Sequence, residues 1–129
     1  MSAPEFNNPS TVMKPVGAYS HAGLVRAQSD ILYIAGQVGI AADGTMREGL
    51  AAQADEAFAN VVRILEANGM TAKSLAKLNI YVVAGQDAAV TREARKKHLG
   101  DARPASTFIF ISQLVDPRLL IEVEGVACK

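Results

Sequence analysis

The sequence predicts an α+β fold in which two helices cover one face of a mixed β-sheet, with the element order ββαβαββ. Short runs rich in β-branched and aromatic residues predict the strands, and two longer segments with apolar residues at helical spacing predict the helices. Most of the strand runs are apolar at odd and even positions alike, which indicates that both faces of the sheet are covered. With 129 residues, the chain is expected to form one domain.

The first sixteen residues are expected to form a loosely structured N-terminal arm, and residues 17–129 the single domain. Segment 1–16 contains three prolines and two adjacent asparagines and has no periodic pattern. From Gly17 to Gly39 we expect a β-hairpin, because two strand-like runs flank a polar turn at residues 28–30.

Two helices are predicted in the middle of the chain, separated by a strand. Leu50–Asn68 places its apolar residues on one helical stripe, and the following Gly69 favours a helix end. Leu75–Val83 has the composition of a strand. Asp87 is suited to cap a second helix that continues to Leu99.

The last segment is expected to be a hairpin of two apolar strands. Thr107–Ser112 forms the first strand, residues 114–117 break it because Pro117 has no N–H, and the second strand resumes at Arg118. Along that second strand the alternation places Glu122 and Glu124 on an otherwise apolar face. A carboxylate shielded from water needs a partner, or its pKa rises, and such groups serve as general acids or bases.

Composition excludes several classes of function. The 13 basic and 13 acidic residues give a net charge of zero, whereas a nucleic-acid binder has a basic excess. No apolar run is long enough for a membrane helix, and the first residues do not resemble a secretory signal, so we expect a cytoplasmic protein. His21 and His98 are not at metal-ligand spacing with cysteines or carboxylates, and no nucleotide-binding motif is present, so neither a metal nor a cofactor is expected.

The apolar strands also predict an assembly. Two helices cover only one face of the sheet, so the second face needs another partner, and other copies of the same chain are the simplest one. We therefore expect a closed homo-oligomer with a site at the seam between subunits.

Four motifs in order resemble the RidA (YjgF) family. They are GAYSHA at residues 17–22, YIAGQVG at 33–39, EANG at the end of the long helix, and RPAS with IEVEGVA in the terminal segment. The resemblance runs from about Gly17 to the last residue. It implies a chorismate-mutase-like fold, a homotrimer, and small-molecule clefts between subunits. The best-known members hydrolyse reactive enamines and imines to a keto acid and ammonia, and older family names mention endoribonuclease or translation inhibition.

The resemblance also implies roles for three residues. Tyr19 corresponds to the tyrosine that lines the cleft, Gly36 to the glycine whose backbone approaches the ligand, and Glu122 to the glutamate that orients or activates the attacking water. Two alternatives stay open: Glu122 as a structural carboxylate at a subunit contact, and Tyr19 as an amphipathic aromatic at the mouth of the cleft. Glu124 is interpreted as structural.

The main departure from the family lies in the substrate-binding segment Ser106, Thr107 and Phe108. The family's deaminases read Pro-Ala-Arg-Ser-Cys there, and the arginine clamps the substrate carboxylate, but this chain reads Pro-Ala-Ser-Thr-Phe. Because a serine hydroxyl cannot replace a guanidinium charge, we expect that the substrate is not a simple 2-imino acid. The backbone of Phe108 would still hold the ligand.

Two arginines are candidates to replace that charge. Arg92, in the second helix, would restore an anion site if it folds into the cleft, or it is a solvated surface residue. Arg103 is expected to face away from Ser106 along the strand and to brace the backbone or a subunit contact.

Three functions follow from these residues. The first is hydrolysis of an imine, an enamine or a similar small metabolite. The second is a non-catalytic module that binds a small ligand, which the missing arginine favours. The third is a ribonuclease, which the zero net charge and the lack of an aromatic platform disfavour.

Overall fold

The computed structural model describes residues 3–129 as two helices packed on one face of a four-stranded sheet, with a separate two-stranded ribbon. The predicted α+β class and its two helices are confirmed, and one short strand precedes the predicted order. The elements are β1 Glu5–Asn7, β2 Ala22–Leu24, β3 Ile31–Val38, α1 Leu50–Ala67, β4 Leu75–Val83, α2 Ala88–Leu99, β5 Ala105–Ile111 and β6 Ile121–Cys128.

The sheet has the strand order β3-β6-β4-β5, with β5 parallel to β4 and the other pairs antiparallel. The predicted terminal hairpin is therefore wrong, because β5 and β6 lie on opposite sides of β4. The reason is that α2 acts as a crossover between β4 and β5, as a parallel pair requires. Residues 112–120 then carry the chain past the end of β4 into the centre of the sheet.

The predicted hairpin between Gly17 and Gly39 is also wrong. β2 pairs with β1 in the ribbon, whereas β3 pairs with β6. The turn itself lies where it was expected, since Gln28 has a φ of 69°. The pairing of Glu5–Asn7 with β2 means that the N-terminal arm includes a short strand, in contrast to the loose structure expected for it.

Both helices lie within one residue of their predicted boundaries, because their end residues suit those positions. α1 stops before Asn68, and Gly69 adopts a φ of 69°, which glycine does at no steric cost. α2 begins after Asp87, whose carboxylate accepts a hydrogen bond of 2.9 Å from the N–H of Ala89. None of the helices within residues 3–129 is long and apolar enough to cross a membrane.

The core lies between the helices and one face of the sheet. α1 packs across β3 and β6, and α2 packs beside α1. The largest fully buried side chains come from α1, β4 and β6: Phe58, Val61, Leu65, Leu75, Leu78, Val82, Ile121 and Val123. Their alternation along β4 and β6 directs the remaining positions of these strands to the opposite, open face.

The open face of the sheet is partly apolar and partly charged. Near its two edges, Tyr33 of β3 and Ile109 of β5 are 77% and 43% exposed. Its centre carries polar side chains instead, from Lys77, Asn79, Tyr81, Glu122 and Glu124. The prediction that both faces are apolar therefore fits the edges of this face but not its middle.

Candidate functional site

Glu122 and Gly36, which the resemblance places in one site, lie together on neighbouring strands. β6 positions Glu122 opposite Val38, beside an irregularity in β3 between Ile34 and Gln37. A Cβ at Gly36 would lie only 2.6 Å from Cδ and 2.8 Å from Cγ of Glu122. The carboxylate therefore covers a stretch of backbone that only glycine leaves open. Within the part of the chain that the structure describes, this carboxylate has no hydrogen-bond or ion-pair partner.

Glu124 lies two residues further along the same face but has a different environment. The hydroxyl of Tyr81 donates a hydrogen bond of 2.6 Å to its Oε1. This bond, followed by the burial of the phenol, raises the pKa of Tyr81 above its usual value. The carboxylate of Glu124 is thus hydrogen-bonded within the chain, which agrees with its interpretation as a structural residue.

The second group of predicted residues lies at the beginning of β5. The hydroxyl of Ser106 donates to the carbonyl of Pro104 at 3.1 Å and accepts a hydrogen bond of 3.1 Å from Nη2 of Arg95. The same Nη2 donates to the carbonyl oxygen of Ala18. A guanidinium group from α2 therefore lies against the serine that stands where the family's deaminases have their arginine.

Arg95 was missed by the sequence reasoning, although a signal for it exists. It lies four residues after Thr91 and four before Leu99, and both of these are buried, so all three share the inward side of α2. Burial, together with the positive charge of Arg103, lowers the pKa of Arg95 to about 10. The group remains cationic at neutral pH.

Arg92 and Arg103 line the same cavity as Arg95, and its volume is about 400 Å³. Nη1 of Arg103 donates to the carbonyl of Ala102 at 3.3 Å, so this residue braces the backbone as expected. Its predicted direction differs, because β5 begins only at Ala105 and strand alternation does not extend back to residue 103.

Tyr19 belongs to a segment that is fastened to the start of β5. The N–H of the next residue, Ser20, donates to the carbonyl of Pro104 at 3.1 Å, and Ser20 bridges Ala105 in parallel. The ring of Tyr19 is half-buried and meets His21 edge-on, with the ring centroids 5.8 Å apart. Tyr19 is therefore next in sequence to the residues that hold Arg95 and β5.

The remaining two residues of the segment point in opposite directions. Thr107 faces the open side of the sheet, where its hydroxyl accepts a hydrogen bond of 3.0 Å from Nζ of Lys77. Phe108 faces the other side and packs edge-on against Phe110, with 5.4 Å between the ring centroids. Both rings lie on the edge strand and are 37% and 52% exposed. The side chains of Ser106 and Phe108, but not that of Thr107, thus share one side.

The predicted site residues form two half-sites that one chain cannot bring together. We call Glu122 and Gly36 the carboxylate half-site, and Tyr19, Ser106 and Phe108 with Arg95 the arginine half-site. β6 and β5 are separated by β4, a distance of about 10 Å, and Glu122 and Ser106 project from opposite faces. One cleft can contain both half-sites only if they come from two copies of the chain.

Neither half-site resembles a metal centre. Across residues 3–129, no group of three histidine, cysteine or carboxylate side chains is arranged to hold a metal ion. The chemical groups available are a carboxylate without a partner, an anchored guanidinium group, hydroxyls and backbone amides. These groups suit proton transfer and the binding of a small polar molecule.

Comparison with known proteins finds relatives over nearly the whole chain. The sequence model of the family described as endoribonuclease L-PSP matches residues 10–129. A RutC family protein of Pyrococcus horikoshii is 32% identical over 118 residues, which cover 90% of each chain. The crystal structure of YyfB, a Rid family protein of Yersinia pestis, superimposes with a TM-score of 0.85 at 32% identity, covering 99% of this chain and 100% of that one. A 2-iminobutanoate/2-iminopropanoate deaminase of Dermatophagoides farinae is 24% identical over 119 residues, or 88% of this chain and 87% of that protein.

Proposed function

The chain belongs to the endoribonuclease L-PSP family, also called the Rid or YjgF family, and we propose that it hydrolyses a reactive imine or enamine in clefts between copies of itself. The observation that carries this proposal is the carboxylate of Glu122, which lies over the backbone of Gly36 without a hydrogen-bond or ion-pair partner among residues 3–129. A relative at 24% identity is named as an imine deaminase, which is consistent with the same class of reaction.

In the proposed mechanism, Glu122 accepts a proton from a water molecule as the water attacks the carbon of the C=N bond. The proton then passes to the nitrogen, and the resulting carbinolamine breaks down to a carbonyl compound and ammonia. Backbone groups of Gly36 and Phe108 would hold the ligand, and Tyr19 would close over it. A positioned general base of this kind contributes a rate factor of about 10²–10⁴.

A homotrimer is the assembly that we propose for this site, acting in the cytoplasm. The support is geometric, because the carboxylate and arginine half-sites lie on different strands and opposite faces. The exposed apolar residues near the edges of the open face provide surface that a second copy would bury.

We propose further that the substrate is not a simple 2-imino acid. Ser106 occupies the place of the family's carboxylate-clamping arginine, and Arg95 reaches it from a different element and donates to two protein oxygens. An anion held by Arg95 would be displaced from the position that the family's arginine defines. A substrate of different length, or one without a carboxylate at that place, fits better.

The test is to measure ammonia release from a freshly generated 2-imino acid and from a panel of neutral and cyclic enamines. Glu122→Gln removes the base and keeps the side-chain volume, so kcat is expected to fall by about 100-fold or more. Glu124→Gln is the matched control on the same strand and face, and it should leave kcat within about threefold of the parent. Equal losses in the two variants would contradict the role of Glu122.

A non-catalytic binding protein is the alternative that Ser106 favours. Specific stabilisation by a ligand, without turnover of any imine or enamine, would support it. The family description also suggests a ribonuclease, which the net charge of zero disfavours. Cleavage of a single-stranded RNA by the protein, lost in Glu122→Gln, would favour that activity over the imine hydrolase.

A further inference from the structure

A strongly basic cavity lies between α2, the segment before β2 and the loop before β5. Its volume is about 400 Å³, within the range of small-molecule sites. Four basic side chains and one acidic side chain line it, namely Arg92, Arg95, Lys96, Arg103 and Asp101. The lining therefore favours an anionic occupant.

The arginines of this cavity differ from all the others in the chain. The sequence contains seven arginines, and the other four each form an ion pair with a carboxylate: Arg26 with Glu5, Arg47 and Arg63 with Glu56, and Arg118 with Asp116. Arg92, Arg95 and Arg103 form no ion pair with any residue in the described range 3–129. The one acidic residue of the lining, Asp101, lies 3.9 Å from Lys73, which is not part of the lining.

Arg95 is the anchored member of this group. Its Nη2 donates to the carbonyl of Ala18 and to the hydroxyl of Ser106, while its Nε and Nη1 have no acceptor among the residues described. A half-buried guanidinium group with only neutral partners is incompletely compensated for its lost hydration. Arg103 adds like-charge repulsion to it. A bound anion would relieve both effects.

The dipole of α2 explains only some of the basic residues that line this cavity. Cations near a helix C-terminus are stabilised by the helix dipole, which accounts for Lys96 in the last turn of α2. Arg103 lies beyond the helix, and Arg92 lies about two turns before its end, where the effect has faded. The helix dipole therefore does not explain why three unpaired arginines line one cavity.

We propose that this cavity binds a small dianion, a dicarboxylate or a phosphate monoester, with the free Nε and Nη1 of Arg95 donating to one negative charge and Arg103 and Arg92 holding the second. Guanidinium groups match both kinds of anion because their paired N–H groups face two oxygens at once. The cavity shares Arg95 with the arginine half-site, but all the residues that line it come from one chain, so anion binding can be measured separately from the turnover proposed above.

The test is isothermal titration calorimetry of the protein with three probes, succinate, inorganic phosphate and acetate. At about pH 8 phosphate is mainly dianionic and Arg95 is still charged. At least one dianion should bind saturably, and acetate should bind at least about tenfold more weakly, because it lacks one charge-assisted pair. Binding of succinate alone would identify a dicarboxylate site, and binding of phosphate alone a phosphate site.

Variants separate a specific site from general charge attraction. Arg103→Gln and Arg95→Met should each weaken binding by about tenfold or more, whereas the control Arg118→Gln, an exposed arginine far along the chain, should not. If Arg95→Met does not fold, the exposed Arg103 decides the question. The proposal is overturned if no dianion binds saturably, if acetate binds as tightly, or if Arg118→Gln weakens binding as much as Arg103→Gln.

Discussion

Single residues decide which acidic groups of this protein are available for chemistry. Glu122 and Glu124 lie on one face of one strand. Tyr81 donates a hydrogen bond to Glu124, whereas Glu122 has no partner among the residues described. Glu56 represents a third environment, because it is buried and held by two arginines. All three residues are glutamates, and their neighbours in the fold distinguish them.

Glu56 should make stability depend on pH in a defined range. Arg63, ahead of Arg47, holds the pKa of Glu56 below its usual 4.5. Because the folded-state pKa is lowered, the ion pairs stabilise the fold fully above the unfolded pKa, and this contribution is lost as the pH falls through the folded pKa. Glu56→Gln is expected to lower the free energy of unfolding by about 2 kcal/mol at neutral pH.

Urea unfolding at about pH 7 and about pH 3 would measure this. The difference between the parent and Glu56→Gln should shrink at the lower pH, because the pH is then below 4.5 and the Glu56 carboxyl group of the unfolded parent takes up a proton. Glu66→Gln, exposed on the same helix, serves as the control and should change stability by less than about 0.5 kcal/mol. A difference that is the same at both pH values would contradict the assignment.

At this scale the sequence predicted part of the geometry of the candidate site. The family resemblance predicted that Glu122 and Gly36 belong to one site. The strand alternation predicted that Glu122 lies on the face opposite to Ile121 and Val123. Arg95 was overlooked because α2 is strongly basic, so one inward arginine does not stand out among its exposed neighbours. Its spacing from the buried Thr91 and Leu99 contains the information, but only once those two residues are known to be buried.

At the scale of secondary-structure elements, the end of β3 is fixed by its contact with α1. A Cβ at Gly39 would lie 2.5 Å from the Cα of Gln53, inside the helix backbone. The side chain of Gln53 also donates to the carbonyls of Arg47 and Arg118, and its Oε1 accepts from the N–H of Leu120. One buried amide thus joins α1 to the loops that precede α1 and β6.

Substitutions of two glycines that are only three positions apart, Gly36 and Gly39, should therefore have different effects on stability. Gly39→Ala must displace the backbone of α1 and is expected to cost about 2–3 kcal/mol of unfolding free energy. Gly36→Ala meets only side-chain atoms of Glu122, which can rotate away, and should cost less than about 1 kcal/mol. Urea unfolding of both variants measures the difference, and equal losses would contradict it.

The elements themselves were predicted better than their neighbours. The helices and β4 were found at nearly their observed bounds because periodicity and end residues are local properties of the sequence. Both predicted hairpins were wrong, because alternation along a strand defines which face a residue takes but not which strand lies beside it. The parallel pairing of β4 with β5 follows from the crossover helix α2. In the sequence, the break between β5 and β6 was interpreted as a hairpin turn, and this interpretation hid the parallel pairing.

At the scale of the whole molecule, the homotrimer that we propose would use the open face of the sheet as a contact surface. Three copies of the 13.6 kDa chain would give a particle of about 41 kDa. Ile109→Asp places a charge on an apolar part of this face and is expected to yield a single-chain mass in multi-angle light scattering. Ala52→Asp, exposed in the first turn of α1 on the helical side, should keep the mass of the parent. A parent protein that already has the mass of one chain would contradict the assembly.

The position of β6 in the middle of the sheet has a consequence for biosynthesis. Its eight residues are made after those of the other three strands of this sheet, yet they join β3 to β4, and the backbone of Lys129 exchanges hydrogen bonds with that of Asp30, 99 residues earlier. While a ribosome still holds these residues, β3 and β4 have no shared neighbour, and the sheet cannot close. A nascent chain must therefore keep this sheet open until β6 has left the ribosome, and chaperones have their longest access to it during that interval.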